Sequence, residues 1–549
     1  MQSRAIGELA GNNDLRLQNA SVRHTLLSLP ASQLHSSFVP TPMDEIVIES
    51  GIQNVKSTLN SVNEQISRLR STLAELETYR EDLHTTLLQH RSVLSSQRKL
   101  PPEILGEIFL LAADGCRLTW PPTNASADEM PWLLCKVCSY WRTVAYSLPK
   151  LWSEVHMDIR YPIAVPSSLD SDVADTTYES TLRLGERFLQ TCLDRSGNQL
   201  LTFSIKVDGL LDKAHSFLEM LVQHSERWED VSLHLDIFSH HSILAPARDR
   251  VPNLRRLHIG TSLSDSMPPT PLDAFENAPK LKELSLTRII HPFHIIRLPW
   301  SQITHLTSNS NTFSEGEFTL IMRHTDNLTS FTTHRERILE VASSDPVPLN
   351  HLRYLEIVNK GSYIAKTFQF LTTPNLQELH IQALTPFLAD QTIPMLTRAQ
   401  CKPTHLVFHS SLVEEAVWEE NFGIIWLLGG LPSVVNLHLT ALRSSEEIMS
   451  RLSYRRPQTN SPPFLPNLHT IVLEDRHCRS ALNIAETLSS RIRTNSTGNT
   501  LGSWTFGEKG LKSISLRLSH PPGPAFPELN VLKNFAVKHG VAIDISSSG

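Results

Sequence analysis

The sequence predicts an α+β multidomain chain: an N-terminal long helix of coiled-coil character, a small helical module, and a C-terminal α/β repeat solenoid. Three observations predict it. Apolar residues recur three and four apart from Ile52 to Leu76. Prolines 101 and 102 stand directly before an apolar helical pattern, "EILGEIFLLAA". From about residue 198 the pattern L-x-x-L-x-L returns with variations through the rest of the chain.

Composition sets the bounds. At 40% hydrophobic residues over 549 positions, the chain has ample material for a core. A net charge of -6 gives no basic balance that points to nucleic acid or an acidic membrane surface. The 25 histidines make the true charge sensitive to mildly acidic pH. The first residues lack the continuous apolar core of a signal peptide, and no run of about 18 apolar residues predicts a membrane span. Six cysteines are too sparse for a disulfide framework and suit a reducing compartment. The expectation is an intracellular protein, cytoplasmic or nuclear, without nucleic-acid or membrane partners.

Residues 1–45 carry scattered Asn, Ser, Pro and Gly with no sustained period and are expected to be disordered. Residues 46–98 are expected to form the long heptad helix. Its seam runs Ile52, Val55, Leu59, Val62, Ile66, Leu69, Leu73, Leu76, then more weakly Leu83, Leu87 and Leu94. Arg80, His90 and Gln97 interrupt it. A seam of this kind either pairs with a second copy through residues 52–98 or folds back on the chain's own body. The flanking Thr58, Gln65, Thr72 and Tyr79 carry no charge code that would select a partner.

Proline lacks an N–H and is disfavoured inside a helix but favoured in its first turn. Pro101 and Pro102 therefore end the long helix near Lys99 and start a new one, with Glu103 suited to the positive end of its dipole. The new helix is apolar at 101, 104, 105, 108, 109, 111 and 112, which is more than one stripe. A loop over 114–131 follows, then one helix, "WLLCKVCSYWRTVAYSL", stopped by Pro149, and a first strand in "EVHMDI".

Here "LPPEILGEIF" (100–109), "VCSYWRTVA" (137–145) and "PKLW" (149–152) resemble an F-box, in the form common among large fungal F-box families. The resemblance covers residues 99–153, with a loop longer than in a minimal F-box. It implies docking to the linker subunit of SCF-type cullin–RING ubiquitin ligases, and through it to a cullin. Carried over by position, the contacts come from Leu100, Pro101, Ile104, Leu105, Ile108, Val137, Cys138 and Trp141. Some of these must instead hold the module together. The bland alternative is a helical subdomain packed on its own protein.

Residues 154–549 are expected to form the solenoid. Pattern starts fall at 200, 228, 254, 281, 303, 328, 352, 376, 403, 434, 468 and 511, close to a leucine-rich-repeat period until the spacing stretches beyond 403. Proline stands two residues before the first apolar position at 252, 279, 374, 432 and 466. Each unit offers a short strand that cannot bury its apolar face alone, so neighbours stack. This part resembles irregular leucine-rich repeats. The residues between the last two apolar positions, on the concave side, are candidates for binding a protein substrate: His234, His258, Glu356, His380 and His438. The four histidines are candidates for recognising an acidic motif or making binding pH-sensitive; otherwise they are solvated strand residues.

No local motif nominates catalysis, a metal or a cofactor. Cys135-Lys-Val-Cys138 is a lone C-x-x-C inside the expected helix, better read as core. Gly502 to Lys509 mimics a phosphate loop, but Glu508 intrudes before the lysine. The expected function is a non-catalytic substrate-recognition adaptor of a ubiquitin ligase. The alternative is a coiled-coil repeat scaffold without a ligase, and an enzyme site assembled across the solenoid ranks third.

Overall fold

A computed structural model describes residues 39–94, 96–114, 116–121, 130–160, 171–208, 215–235, 241–261, 270–313, 315–334, 337–338, 346–358, 371–382, 386–409, 417–442, 446–453, 464–475, 481–492, 510–518 and 527–547. Most of the segment expected to be disordered, residues 1–38, and the phosphate-loop mimic lie outside them. The chain divides into two compact units between Pro102 and Glu103. Among the described residues, no helix is long and apolar enough to cross a membrane.

The first unit contains one long helix, α1 (Pro42–Val93). It starts earlier than the heptad pattern alone suggests because Thr41 caps it. The Asp44 N–H reaches Thr41 Oγ1 at 3.4 Å and the Thr41 N–H donates to Asp44 Oδ2 at 3.0 Å. Pro42 then occupies the first helical position, where its missing N–H has no consequence. The helix stops at Val93 rather than near Lys99, and Ser96–Lys99 form a separate 3₁₀ turn. The apolar seam of α1 is exposed along its length, from Val62 at 38% to Leu76 at 60%.

The second unit opens with three short helices, α2 (Pro102–Ala112), α3 (Met130–Val137) and α4 (Ser139–Tyr146), then a 3₁₀ turn at Pro149–Trp152. The single helix expected over residues 132–148 is two. Cys138 between them is extended (φ −162°, ψ 172°), and its Sγ accepts the Trp141 N–H at 3.4 Å. A thiol in the N-cap position takes one of the orphan donors of the new helix.

A parallel sheet of fifteen strands dominates this unit. Its strands are β1 (Leu118–Trp120), β2 (Glu154–Arg160), β3 (Leu201–Asp208), β4 (Trp228–His234), β5 (Arg256–Gly260), β6 (Glu283–Thr287), β7 (His305–Asn309) and β8 (Ser330–His334). Then come β9 (Tyr354–Val358), β10 (Glu378–Gln382), β11 (His405–His409), β12 (Asn436–Leu442), β13 (Thr470–Asp475), β14 (Ser513–Leu518) and β15 (Ala542–Ser547). Their order across the sheet is their order along the chain. β1 lies within the segment 114–131 expected as loop; it pairs with β2 from Leu118 opposite Val155 to Trp120 opposite Met157. Leu118 is buried and Trp120 packs on Phe188 at 5.5 Å, which ties the segment down.

Alternation within each strand separates the two faces. Leu257 and Ile259, Leu284 and Leu286, Leu379 and Ile381 are all buried in the core. The residues between them form continuous, mostly polar rows, because the register keeps equivalent positions level from strand to strand. One row runs His156, Ser204, Ser232, His258, Ser285, Thr307, Thr332, Glu356, His380, Val407, His438, Val472, Ser515 and Asp544. Helices such as Ala481–Arg491 and Pro527–Lys538 follow the strands and pack against one another in sequence.

Candidate functional site

Two surfaces carry candidate side chains. The first is on the helical module. Its interior is aromatic: Phe109 packs on Trp141 at 4.9 Å, and Trp152 takes Trp132 edge-on at 4.9 Å. The buried Trp152 Nε1 donates to the Ala145 carbonyl at 2.9 Å, so its polar atom is satisfied. Gly106 lets Leu148 approach α2: a Cβ there would lie 3.3 Å from Leu148 Cδ2. The Arg195 guanidinium, at the end of the helix Ser171–Arg195, lies 3.8 Å from the Tyr146 ring centroid and 4.5 Å from that of Trp152. It ties the module to the start of the sheet.

This packing sorts the residues carried over from the F-box resemblance. Leu105 is 1% exposed and belongs to the interior, so the contact expected there is corrected to a packing role. Trp141 is half-buried against Phe109, and Cys138 is half-buried as the helix cap. Ile104 at 52%, Ile108 at 44% and Val137 at 53% stay exposed. Leu111, 76% exposed, and Leu133 extend the same apolar faces of α2 and α3. Neither is among the contacts carried over from the resemblance, although each stands at helical spacing from one that is. Leu100, half-buried, and Pro101, exposed, belong to the first unit. Cys135 is buried, which pushes its thiol pKa up.

The second surface is the polar face of the sheet. His258, Glu356, His380 and His438 share the row described above. His234 does not: its backbone is level with Gly260, and Ser232 holds the place expected for it. The pattern Trp228–Val231–Leu233 puts residue 232 between its last two apolar positions, and His234 lies one pleat further along the strand. The His234 ring lies over Gly260, where a Cβ would clash, and 5.6 Å from the His258 ring. His156, which the sequence reading omitted, stands in the row between Thr119 of β1 and Ser204 of β3; "EVHMDI" alternates in the same way and was the available signal.

Burial holds the imidazoles of His156, His258, His380 and His438 below their ordinary pKa. Nearby cations add to this: Arg117 beside His156 and Arg517 near His438. The Tyr354 phenol is pushed up, first by burial and then by its hydrogen bond to the Glu356 carboxylate. Tyr354 OH donates to Glu356 Oε2 at 2.9 Å, and His380 Nδ1 lies 3.2 Å from the same phenol oxygen. The phenol has one proton and gives it to the carboxylate, so His380 is the donor in the second contact, which assigns the Nδ1–H tautomer.

Among the described residues, no group of three or more His, Cys, Asp or Glu is placed to hold a metal ion. The arrangement can bind through hydrogen bonds and one fixed carboxylate. Compared with known proteins, the chain matches no family model and no curated relative.

Proposed function

We propose that the chain is a non-catalytic substrate-recognition adaptor of an SCF-type cullin–RING ubiquitin ligase, acting inside the cell in the cytoplasm or nucleus. In this reading α2 to α4 are an F-box that docks on the ligase linker subunit. The parallel sheet is a leucine-rich-repeat-like solenoid whose polar face holds a protein substrate. Binding free energy places the substrate near the ligase, and other subunits perform the chemistry.

The observation that supports it best is the division of labour on α2. Leu105 and Phe109 are buried on one side while Ile104, Ile108 and Leu111 are exposed on another. A short helix with an anchored side and a second apolar side has a surface whose cover is not in its own module. The exposed seam of α1 favours a second component of the reading, pairing with another copy of the chain through residues 52–93. The same seam alone would serve a coiled-coil scaffold without a ligase.

Co-purification with the linker subunit separates these readings. Ile104→Ala/Ile108→Ala removes exposed side chains and leaves the fold intact. Each truncation at a buried interface costs about 2 kcal/mol, a combined weakening on the order of several hundredfold. Wild-type binding that the double variant loses supports the adaptor. No binding by the folded wild type leaves the scaffold.

A further inference from the structure

The polar face changes character across β9, β10 and β11. Along the row, Glu356, His380, Val407 and His438 follow one another. Val407 is the short apolar member between two imidazoles, so the surface dips there. Gln382 and His409, level with each other one pleat further on, form the next wall. Glu356, His380, Ile381, Gln382, Val407 and His409 line an open recess.

Glu356 is fixed at its edge. Thr332 Oγ1 and Tyr354 OH both donate to its Oε2, at 3.3 and 2.9 Å. Among the described residues, Oε1 accepts no hydrogen bond. Ordering this side chain is already complete, so a ligand that meets Oε1 does not have to fix it. Among the described residues, neither lysine nor arginine lines the recess. His380 adds no positive charge near neutral pH, since burial outweighs the pull of Glu356 and Glu378 on its imidazole. Glu378 places a second carboxylate close by, its Oε2 3.8 Å from His380 Nε2. The local field is therefore negative, while Val407 offers an aliphatic surface for a methylene stem.

We propose that this recess receives a cationic side chain, lysine or arginine, from a protein partner, with its charged end on Glu356 Oε1 and its methylenes on Val407. The proposal names the substrate chemistry of the polar face and rests on the reading of that face as the substrate surface. It reverses the expectation of an acidic ligand. That expectation followed from the histidines, but the charge at this place belongs to the carboxylates. The Gln382 side-chain oxygen is the second acceptor available to an arginine fork.

The test titrates the full chain into dye-labelled Gly/Ser peptides carrying paired lysines, paired arginines or paired glutamates. Fluorescence anisotropy at low salt reads binding. At least one cationic peptide is expected to bind about tenfold more tightly than the glutamate peptide. Whichever cation is preferred identifies the side chain. Glu356→Gln keeps the shape and both donors' reach, and is expected to abolish most of that preference. Glu283→Gln removes an exposed carboxylate on β6 of the same face and is expected to change it less than about twofold. Equal binding of all three peptides overturns the proposal, and so does equal loss in the two variants. Thermal melting checks that each variant is folded. Linker-subunit docking is read separately through Ile104 and Ile108, so a failed recess leaves that result standing and a failed docking leaves this one.

Discussion

The Asn375 side-chain amide donates to the Asn350 carbonyl oxygen at 2.7 Å, across 25 residues of chain. The same contact recurs. Asn253 donates to the Glu226 carbonyl at 2.9 Å, Asn327 to Ser301 at 2.8 Å, and Asn467 to Pro432 at 3.1 Å. Gln302 and Ser433 do likewise to the carbonyls of Ala278 and Pro403. Each donor stands immediately before the first apolar residue of the repeated pattern. These side chains satisfy carbonyls in the turn that precedes the neighbouring strand, and so hold the turns in step.

Asn375→Ala is accordingly expected to cost about 0.5–1.5 kcal/mol, at the lower end because the contact is exposed. Asn375→Asp loses the donor at nearly equal volume and is expected to cost a similar amount. Urea midpoints of the two variants against wild type check this. A midpoint unchanged in both would show that the contact contributes nothing.

Much of the sheet was legible because period-two burial is written directly into L-x-x-L-x-L. Every one of the twelve pattern starts leads into a strand. β15 escaped notice because Gly540 stands where the leading leucine would, leaving only Ile543 and Ile545. β1 is three residues long, too short for alternation to register. The helix break at Cys138 was hidden because cysteine is not among the usual capping residues. The recess was beyond reach for a different reason. Glu356, His380 and Val407 become neighbours only once three strands are aligned, so no local window contains them. On α2 the sequence shows that the helix is apolar on several sides. Which side is anchored depends on where Trp141 and Leu148 arrive.

Arg195 offers a test of how the helical module is held. Its guanidinium faces the rings of Tyr146, Trp152 and Trp132 at 3.8, 4.5 and 5.4 Å. A partly desolvated cation over aromatic rings contributes about 2 kcal/mol. Arg195→Ala is expected to lower the melting temperature and to raise protease cleavage within residues 103–152. Arg195→Lys keeps a point charge but loses the planar stack, and should fall between the two.

Acid should weaken the fold through the histidine row. An imidazole with a folded pKa below its unfolded value of about 6.5 takes its proton less readily in the folded state. Above that value both states are neutral and the full stability is present. As pH falls below it, the unfolded chain binds protons first, and stability declines down through the depressed folded pKa. His156, His258, His380 and His438 all contribute in this direction. Urea midpoints at pH 7.5 and 5.5 measure the loss. His258→Gln is expected to reduce the slope, since the burial and the facing His234 that depress its pKa then have no proton to oppose.

The seam of α1 gives an association test. Ile66→Asp/Leu73→Asp puts two charges among its exposed apolar residues. Sedimentation equilibrium of the full chain is expected to return twice the chain mass for wild type and the single mass for the variant. A wild type of single mass at all concentrations would remove the second copy from the proposal.

The strict correspondence of strand order with chain order has a consequence for biosynthesis. No strand from β2 onward has to wait for a later one before it finds a partner, because the neighbour that precedes it has already left the ribosome. Each pairing closes a loop of one repeat only, and the entropic cost of loop closure grows slowly from that small value. The sheet can be laid down from its N-terminal edge as translation proceeds, with the newest strand always the open edge.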